Sequence, residues 1–261
     1  MGMAAVFLVA GSARAEEIKI GGTGGAMATM QILAGAYTRM HPEAKITVLP
    51  SLGSSGGIKA VLTGAIQLAV SARPLKDAEI RAGGEEIELG RTPFVFATAK
   101  TGKVNGLVHD ELVSIYAGRT ERWPDGGPIR LVLRPIGDSD SDMVRNISAD
   151  MRKAKMAAEQ RKGMAFAVTD QDAADSLEKI PGALGPTTLA QIISEKRGLK
   201  PLQYNNVEPS ARGLADGSYP YSKQISMIVS PTTPVAARRF VAFVQSAEGR
   251  EILTRTGYWV K

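Results

Sequence analysis

Three short segments combine glycine with serine, threonine or aspartate, and each lies between a strand-like and a helical pattern. They are residues 21–25 (GGTGG), 53–57 (GSSGG) and 137–141 (GDSDS). Glycine lets the backbone turn tightly, hydroxyl groups donate hydrogen bonds, and the free N–H groups at the start of a helix attract negative charge. One such segment is weak evidence, because serine and glycine are ordinary residues of turns and caps. Three of them together favour a site for a small anion.

The pattern around these segments predicts an α/β protein. In the first part of the chain, strands are predicted at residues 17–20, 46–49 and 66–70, with helices at residues 26–40 and 58–62 and a turn at 51–57. Short strands that alternate with helices are typical of a parallel sheet covered by helices. Ligands of such sheets bind beyond the carboxyl ends of the strands, where all three segments are expected to lie.

The rest of the chain continues the alternation of strands and helices. The predicted elements are a helix at 110–116, a strand at 129–133, one long helix capped within 139–142, a strand at 164–168, helices from 171 and near 187–196, a last strand at 224–229, and helices at 234–245 and from 247.

Other motifs that carry chemistry fail in detail. The segment GGTGGA lacks the third glycine of a dinucleotide fingerprint, because Met27 stands in its place, and no GKS or GKT phosphate loop is present. The chain has no cysteine, which excludes thiolate metal sites, cysteine nucleophiles and disulfides. The two histidines, His41 and His109, show neither metal-ligand spacing nor a serine or carboxylate constellation. We therefore predict no metal, no cofactor and no catalytic residue.

The 261 residues carry a formal net charge of +6, and only 5% of them are aromatic. A mild positive excess favours anionic partners in general. The basic residues between Arg145 and Lys162 lie on a predicted helix without interleaved aromatic residues. This arrangement indicates a solvated helix face rather than a nucleic-acid surface, so no nucleic-acid partner is expected.

The first fifteen residues, MGMAAVFLVAGSARA, have the pattern of an export signal. An apolar run at residues 4–10 leads to the small-x-small segment Ala13-Arg14-Ala15 and then to two glutamates. A basic segment before the run is missing, so a buried N-terminal strand is the alternative. Cleavage after Ala15 would lower the net charge from +6 to +5, since it removes one arginine and no acid. We expect a mature protein that begins near Glu16 and is exported to the periplasm or another extracytoplasmic space.

Six motifs and the C-terminal segment make the chain resemble the phosphate-binding proteins of ABC transporters, which have a type II periplasmic-binding fold. The motifs are GSSGGIKA from Gly53, SARPL from Ser71, ELVSIYAG from Glu111, WPDG from Trp123, RPIG from Arg134, YPY from Tyr219, and FVAFVQSAEGREIL from Phe240 with Gly257 and Tyr258. Any one motif is loose. Their order and spacing over nearly all of the mature chain are specific.

The resemblance implies a two-lobed α/β receptor in which each lobe is a mixed, mostly parallel sheet covered by helices. After a signal peptide at residues 1–15, residues 16–97 and 226–261 would form one lobe and residues 98–225 the other. Two crossing strands, near 94–98 and 223–227, would be the hinges. A small oxyanion, phosphate in the first place, would bind between the lobes for delivery to ABC permease subunits. The receptor itself would be a monomer and not an enzyme.

By motif position, the resemblance also implies which residues contact the ligand. They are Thr23, Gly24, Ser54, Ser55, Ser71, Arg134, Gly137, Asp138, Ser139 and Asp140. Arg134 would be the charge partner, because a planar guanidinium suits a tetrahedral oxyanion. From the residue alone, a surface arginine at a strand end is the alternative.

Two places depart from the pattern of that family. Ala72 stands where members often have an acid, and Asp138, Ser139 and Asp140 stand where Ser-Gly-Thr is typical. One of the two aspartates would accept a hydrogen bond from the proton that phosphate carries at neutral pH, and would repel sulfate, which carries none. The alternative is that both aspartates only cap the following helix.

Three functions stay open on the sequence. The first is a phosphate receptor that feeds an ABC importer. The second is a sensor or scavenger of the same fold for another small ligand, without a permease. The third is an enzyme on this fold, which is disfavoured because no pair of nucleophile and base is visible.

Overall fold

The computed structural model describes residues 17–260, and the predicted signal peptide at residues 1–15 lies outside this range. Its strands are β1 Glu17–Gly22, β2 Lys45–Val48, β3 Leu68–Ser71, β4 Glu85–Ala99, β5 Gly106–Leu107, β6 Arg130–Leu133, β7 Ala165–Phe166, β8 Ala183–Thr188, β9 Leu199–Pro201, β10 Gln203–Tyr204 and β11 Ser222–Val229. Its α-helices are α1 Met27–Met40, α2 Gly53–Leu62, α3 Asp77–Arg81, α4 His109–Tyr116, α5 Ser139–Asn146, α6 Ala149–Gln160, α7 Asp170–Lys179, α8 Leu189–Ser194, α9 Ala211–Ala215, α10 Val235–Gln245 and α11 Ala247–Arg255. A short 3-10 helix, Gly24–Ala26, leads into α1. None of the helices described is long and apolar enough to span a bilayer.

The main sheet has the strand order β2-β1-β3-β11-β4-β8-β6-β7, with β9 also paired to β4. Parallel pairs occupy both ends of this path: β1 with β2 and β3, and β6 with β7 and β8. Antiparallel pairs join them through β11 and β4 in the middle. The predicted mixed α/β class, with parallel strands covered by helices, is therefore confirmed.

Strand β4 runs through both halves of the molecule. Its first part, up to Pro93, pairs with β11, and its second part, from Phe94 to Ala97, pairs with β8. The register of β11 against β4 shifts between Ile225 and Ser226. The backbone is therefore continuous through the middle of the molecule.

Two large apolar cores lie on either side of this central pair of strands. The first is formed by β1, β3 and β11 with α1, α10 and α11, and the second by the end of β4, β6 and β8 with α4 to α7. Helix α10 shows why the sequence folds this way. Its buried residues Ala237, Phe240, Val241 and Val244 recur at helical spacing, so one face is apolar. Ala190 of α8, which the sequence assigns to the second lobe, packs in the first core.

The structure changes three of the predicted elements. Helix α2 begins at Gly53, so the predicted turn at 51–57 is wrong from its third residue onward. The predicted long helix after residue 139 is two helices, because Ser148 has an extended backbone and caps α6 through its hydroxyl, which accepts from the N–H of Met151. The predicted strand at 164–168 is only the two residues of β7.

Candidate functional site

Arg134 follows β6 directly, and its guanidinium is buried near the start of α5. The side chain is 2% exposed. Nε and Nη2 donate to the two carboxylate oxygens of Asp138 at 3.1 and 2.9 Å, and Nη1 donates to the carbonyl oxygen of Ala167 at 2.8 Å. An arginine has five N–H groups, so one on Nη1 and one on Nη2 remain without a hydrogen-bond acceptor within residues 17–260. Arg134 is therefore not a surface arginine, which was the alternative interpretation of this residue in the sequence.

Asp138 links this arginine to the start of a helix. It is the N-cap of α5, where its Oδ1 also accepts from the N–H of Asp140 at 3.0 Å. Gly137 precedes it with a φ of +84°, a conformation that glycine adopts readily. Asp138 thus caps α5, the role that the sequence left as an alternative for both aspartates. In addition, it accepts hydrogen bonds from Arg134. Ser139, the first residue of α5, is half-buried beside them.

Asp140 has a different partner, which the sequence did not reveal. Its Oδ1 accepts from the ammonium group of Lys223 on β11, and both side chains are almost fully buried. Its Oδ2 lies 3.9 Å from Nε of Arg134. Capping therefore does not explain Asp140, whose carboxylate lies between the two cations.

A third acid, Asp170, completes the cluster. It is the first residue of α7, its side chain is 8% exposed, and its Oδ2 lies 3.8 Å from Nη2 of Arg134. The same oxygen reaches the start of the 3-10 helix: a β-carbon at position 24 would lie only 2.7 Å from it, so any larger residue there would displace the Asp170 side chain. The adjacent Gln171 donates from Nε2 to the carbonyl oxygen of Gly24 at 3.0 Å.

The opposite charges in this cluster offset the free-energy cost of burying them. Burial by itself would lower the pKa of Arg134, but Asp170, Asp140 and Asp138 raise that pKa, so the guanidinium stays charged. The pKa of Lys223 is likewise raised, since Asp140 and Asp170 outweigh its burial. For Asp170, burial is the largest effect and raises the pKa of its carboxyl, although Lys223 and Arg134 oppose this. Two cations face three carboxylates, which leaves one negative charge when all are ionised.

Thr23, Ser54 and Ser71 lie together at the carboxyl ends of β1 and β3. The N–H of Thr23 donates to the carbonyl oxygen of Val70 at 2.9 Å, next to Ser71. Oγ of Ser54 accepts from the N–H of Ala72 at 3.0 Å, so the helix α2 start adjoins the end of β3. All three side chains are buried. The structure thus brings together the residues that the sequence predicted on this side of the site.

Ser55 is separated from this group. It is exposed, and its Oγ accepts from Nε of Arg73 at 3.1 Å. Arg73 also makes a bidentate ion pair with Glu79, at 2.9 and 2.7 Å. Hydrogen bonds from Arg73 are the main reason why the pKa of Glu79 falls to about 2. The hydroxyl of Ser55 thus serves the Arg73 side chain, and no contact links it to Arg134.

A second buried ion pair supports the 134–141 turn from behind. Nζ of Lys155 donates to Glu159 at 2.7 Å, to Oγ of Ser141 at 3.0 Å and to the carbonyl oxygen of Arg134 at 3.4 Å. Arg145 donates to the other oxygen of Glu159 at 2.6 Å. Burial works against the Glu159 carboxylate, but these hydrogen bonds outweigh it and lower the pKa. The predicted solvated helix face is therefore wrong for Lys155, which is 1% exposed.

His109 has neighbours that the sequence did not indicate. Its Nδ1 lies 2.7 Å from the hydroxyl of Tyr204, and its Nε2 lies 3.2 Å from the hydroxyl of Ser148. His109 lies on α4 and Tyr204 on β10, while Ser148 caps α6 by accepting from the N–H of Met151. These three side chains therefore connect α4, α6 and β10. No group of residues able to hold a metal ion occurs within the described range, 17–260.

Sequence reasoning missed Asp170, Gln171 and Lys223. The only local signal for the first two is a capped helix start: Thr169 and Asp172 form a capping box around them. For Lys223, the signal is a lysine at the start of the strand, on the alternating face that it shares with Ile225, Met227 and Val229. Neither signal predicts which residue of opposite charge will lie next to these side chains.

Comparison with known proteins gives a consistent family. A family model described as a PBP superfamily domain matches residues 9–248. No curated protein matches the chain significantly. A Clostridium perfringens structure, assigned as a phosphate ABC transporter substrate-binding protein with bound phosphate, is 20% identical, with a TM-score of 0.80 and coverage of 94% of this chain and 100% of that one. An ABC-type phosphate transport receptor from Vibrio cholerae is 18% identical, with a TM-score of 0.64 and coverage of 94% and 100%.

A structure with a different ligand is also similar. The effector-binding domain of QuiR in complex with shikimate is 10% identical, with a TM-score of 0.59 and coverage of 88% of this chain and 95% of that one. At such identities the likeness shows the fold, a type II periplasmic-binding fold, as predicted.

Proposed function

This chain belongs to the PBP superfamily, and we propose that it is a binding protein that captures a small oxyanion, phosphate in the first place. The observation that carries the proposal is Arg134, a buried arginine that keeps one N–H on Nη1 and one on Nη2 without an acceptor within residues 17–260. A charged, pre-positioned guanidinium with free N–H groups is a strong arrangement for an oxyanion. Two of the similar structures are named for phosphate transport.

The proposed ligand contacts come from both sides of the site. Thr23, Gly24 and the buried hydroxyl of Ser54 would supply donors from the β1–β3 side, whereas the single O–H of Ser71 already donates to the carbonyl oxygen of Arg73 at 2.6 Å. Arg134 and the start of α5 at Ser139 would supply donors from the β6 side. Small oxyanions can accept several hydrogen bonds from such groups, and this binding does not require a metal ion. We propose no catalytic role for any of these residues.

We further propose that residues 16–97 and 226–261 move against residues 98–225 as two lobes, with β4 and β11 as the hinges. This division is supported by the two apolar cores and by the passage of β4 from one to the other. Gln171 and Asp170 reach Gly24 across the proposed division. Closure on a ligand would present the surface that an ABC permease recognises.

Isothermal titration calorimetry with a panel of anions and shikimate tests the proposal. We expect saturable binding of phosphate with one site per chain. A panel in which phosphate gives no heat while another compound binds would contradict phosphate as the ligand.

A second candidate is a receptor of the same fold for a different small ligand, without a permease. The observation that favours it is the three carboxylates around Arg134, together with the shikimate complex of a similar structure. Hydroxyl groups of an organic ligand could donate to these carboxylates. Preferential binding of a hydroxylated organic acid over phosphate in the same panel would support this candidate.

Export is part of the proposal, since capture for a transporter takes place outside the cytoplasm. Mass spectrometry of the protein from its native host should give a mature chain that starts at or near Glu16. A cytoplasmic protein with an intact Met1 would contradict export.

A further inference from the structure

A cavity of about 830 Å³ lies between the two proposed lobes, beside the residues proposed to contact the oxyanion. One wall comes from the first two turns of α1 and from residues 48–51, and the other comes from the start of α7 and from residues 194–197. Pockets that hold a small organic ligand commonly measure about 300–1,000 Å³, and inorganic phosphate needs far less space. The cavity therefore has the size that an organic ligand occupies.

Two side chains, Gln171 and Ser51, separate this cavity from Gly24. Both line the cavity, and a β-carbon added at Gly24 would lie 2.6 Å from Oε1 of Gln171 and 2.9 Å from Oγ of Ser51. Nε2 of Gln171 donates to the carbonyl oxygen of Gly24 at 3.0 Å and to Glu195 at 2.8 Å. Because Gln171 and Gly24 belong to different proposed lobes, opening of the hinge separates them and joins the cavity to the anion site.

The two walls of the cavity differ in chemistry. Leu49 and Pro50 provide apolar surface on one side. On the other side, Oγ of Ser194 is buried and has no hydrogen-bond partner within residues 17–260. Arg197 donates from Nε to Glu195 at 2.6 Å, so these two charges of the same wall pair with each other. An apolar wall that faces a free hydroxyl and paired charges suits an uncharged, hydroxylated carbon frame.

We propose that this cavity is a subsite for the organic part of the ligand, and that the protein binds phosphate monoesters that carry a hydroxylated organic group. The phosphoryl group contacts Arg134 and Gly24, and the organic group lies in the cavity with the Gln171 side chain turned aside. This inference rests on the proposed function and narrows its ligand from inorganic phosphate to phosphate esters. Since the organic group contacts both walls, an ester favours the closed form more than phosphate does.

Calorimetry with inorganic phosphate, glycerol phosphate and free glycerol tests the inference on the unaltered protein. The titrations are made at about pH 6, where a monoester still carries a proton on about half of its molecules, since its second pKa is about 6. The ester and phosphate then differ little in charge. Glycerol phosphate should bind at least as tightly as phosphate and should compete with it for one site. Free glycerol, which lacks the anionic group, should not bind.

Substitutions in the cavity should change the affinity for the ester alone. Ala28 lines the cavity from α1, and Ala28→Phe should weaken glycerol phosphate by at least about tenfold while phosphate stays within about twofold. Met40→Phe is the matched control, because Met40 is an exposed residue of the same helix, and it should change neither affinity. Gln171→Ala removes the side chain that reaches Gly24, so it should raise the affinity for glycerol phosphate relative to phosphate.

The outcomes separate the inference from the proposed function. Phosphate binding without binding of glycerol phosphate overturns the inference and leaves the proposed function in place. A folded Ala28→Phe that weakens both ligands equally, or neither, also overturns it. Binding of glycerol phosphate alone supports the inference and contradicts free phosphate as the ligand. If neither compound binds, the proposed function is wrong and the inference falls with it. The titrations of the unaltered protein decide the matter even if Ala28→Phe does not fold.

Discussion

Lys223 on β11 forms a buried ion pair with Asp140 on α5, which ties a central strand of the sheet to the turn that carries Arg134. The two side chains are 2% and 3% exposed, so neither charge is solvated by water. Within residues 17–260, the only other cation near Asp140 is Arg134, at 3.9 Å. The pair therefore holds the proposed hinge strand and the proposed ligand site in one geometry.

Loss of Lys223 should destabilise the protein strongly. Lys223→Met leaves Asp140 buried without its main partner, and removal of one member of a buried pair costs about 3–5 kcal/mol. The double variant Lys223→Met with Asp140→Asn removes both charges and should recover a large part of that loss. Urea unfolding of the two single variants and the double variant measures the coupling. Additive losses would show that the two residues do not depend on each other.

Arg134→Ala should weaken phosphate binding by about tenfold to a hundredfold. Charge-assisted hydrogen bonds contribute about 1.5–3 kcal/mol, and about 1.4 kcal/mol corresponds to one decade in affinity. Arg130→Ala is the matched control, because Arg130 begins β6, the strand that Arg134 follows, and its side chain is exposed. Calorimetry on folded variants is the measurement. A loss below about twofold for Arg134→Ala would place this arginine outside the site.

Asp138→Asn should strengthen the binding of phosphate and of sulfate by a similar factor, about tenfold, because it removes a negative charge next to Arg134. Asparagine can still cap α5, so the turn should keep its shape. Parallel titrations with the two anions measure the effect. A gain for sulfate alone would show that Asp138 is the acid that discriminates between the two anions.

Lys155→Met should lower both stability and anion affinity, although Lys155 is on the far side of the turn. The substitution removes the donors to Ser141, to Glu159 and to the carbonyl oxygen of Arg134. Because Arg145 still pairs with Glu159, we expect the lower end of the usual cost for a buried pair, about 3 kcal/mol. Lys153→Met, on the same helix with a side chain that is 82% exposed, is the control and should change neither property. Unchanged affinity in a destabilised Lys155→Met would limit the lysine to a structural role.

Saturating phosphate should make the protein more compact, because contacts from both proposed lobes favour the closed form. Small-angle X-ray scattering should give a smaller radius of gyration with phosphate than without it. Gln171→Ala removes the hydrogen bond to Gly24 and should shift the unliganded protein toward the open form. An identical scattering profile with and without bound phosphate would contradict a hinge motion.

The sequence by itself determined several of the helices and the strand ends at which the candidate site lies. Helices α1 and α10 follow from apolar residues at helical spacing, and residues 21–25 and 137–141 follow from glycine and capping residues at strand ends. These features depend on neighbours along the chain, so a local pattern suffices to predict them. The same reasoning placed the segments that contain Thr23 and Ser54 at one edge of the sheet, because parallel strands end on the same side, while Ser71 came from the resemblance alone.

The tertiary structure alone decided how the charges of the site are paired. Asp138 and Asp140 are two residues apart, yet one holds Arg134 and caps a helix while the other pairs with Lys223 from a distant strand. Asp170 reaches Gly24 only because α7 packs against the 3-10 helix. The burial of a carboxylate and the cation it meets depend on which distant segments pack around it, and no local pattern in the sequence records that arrangement.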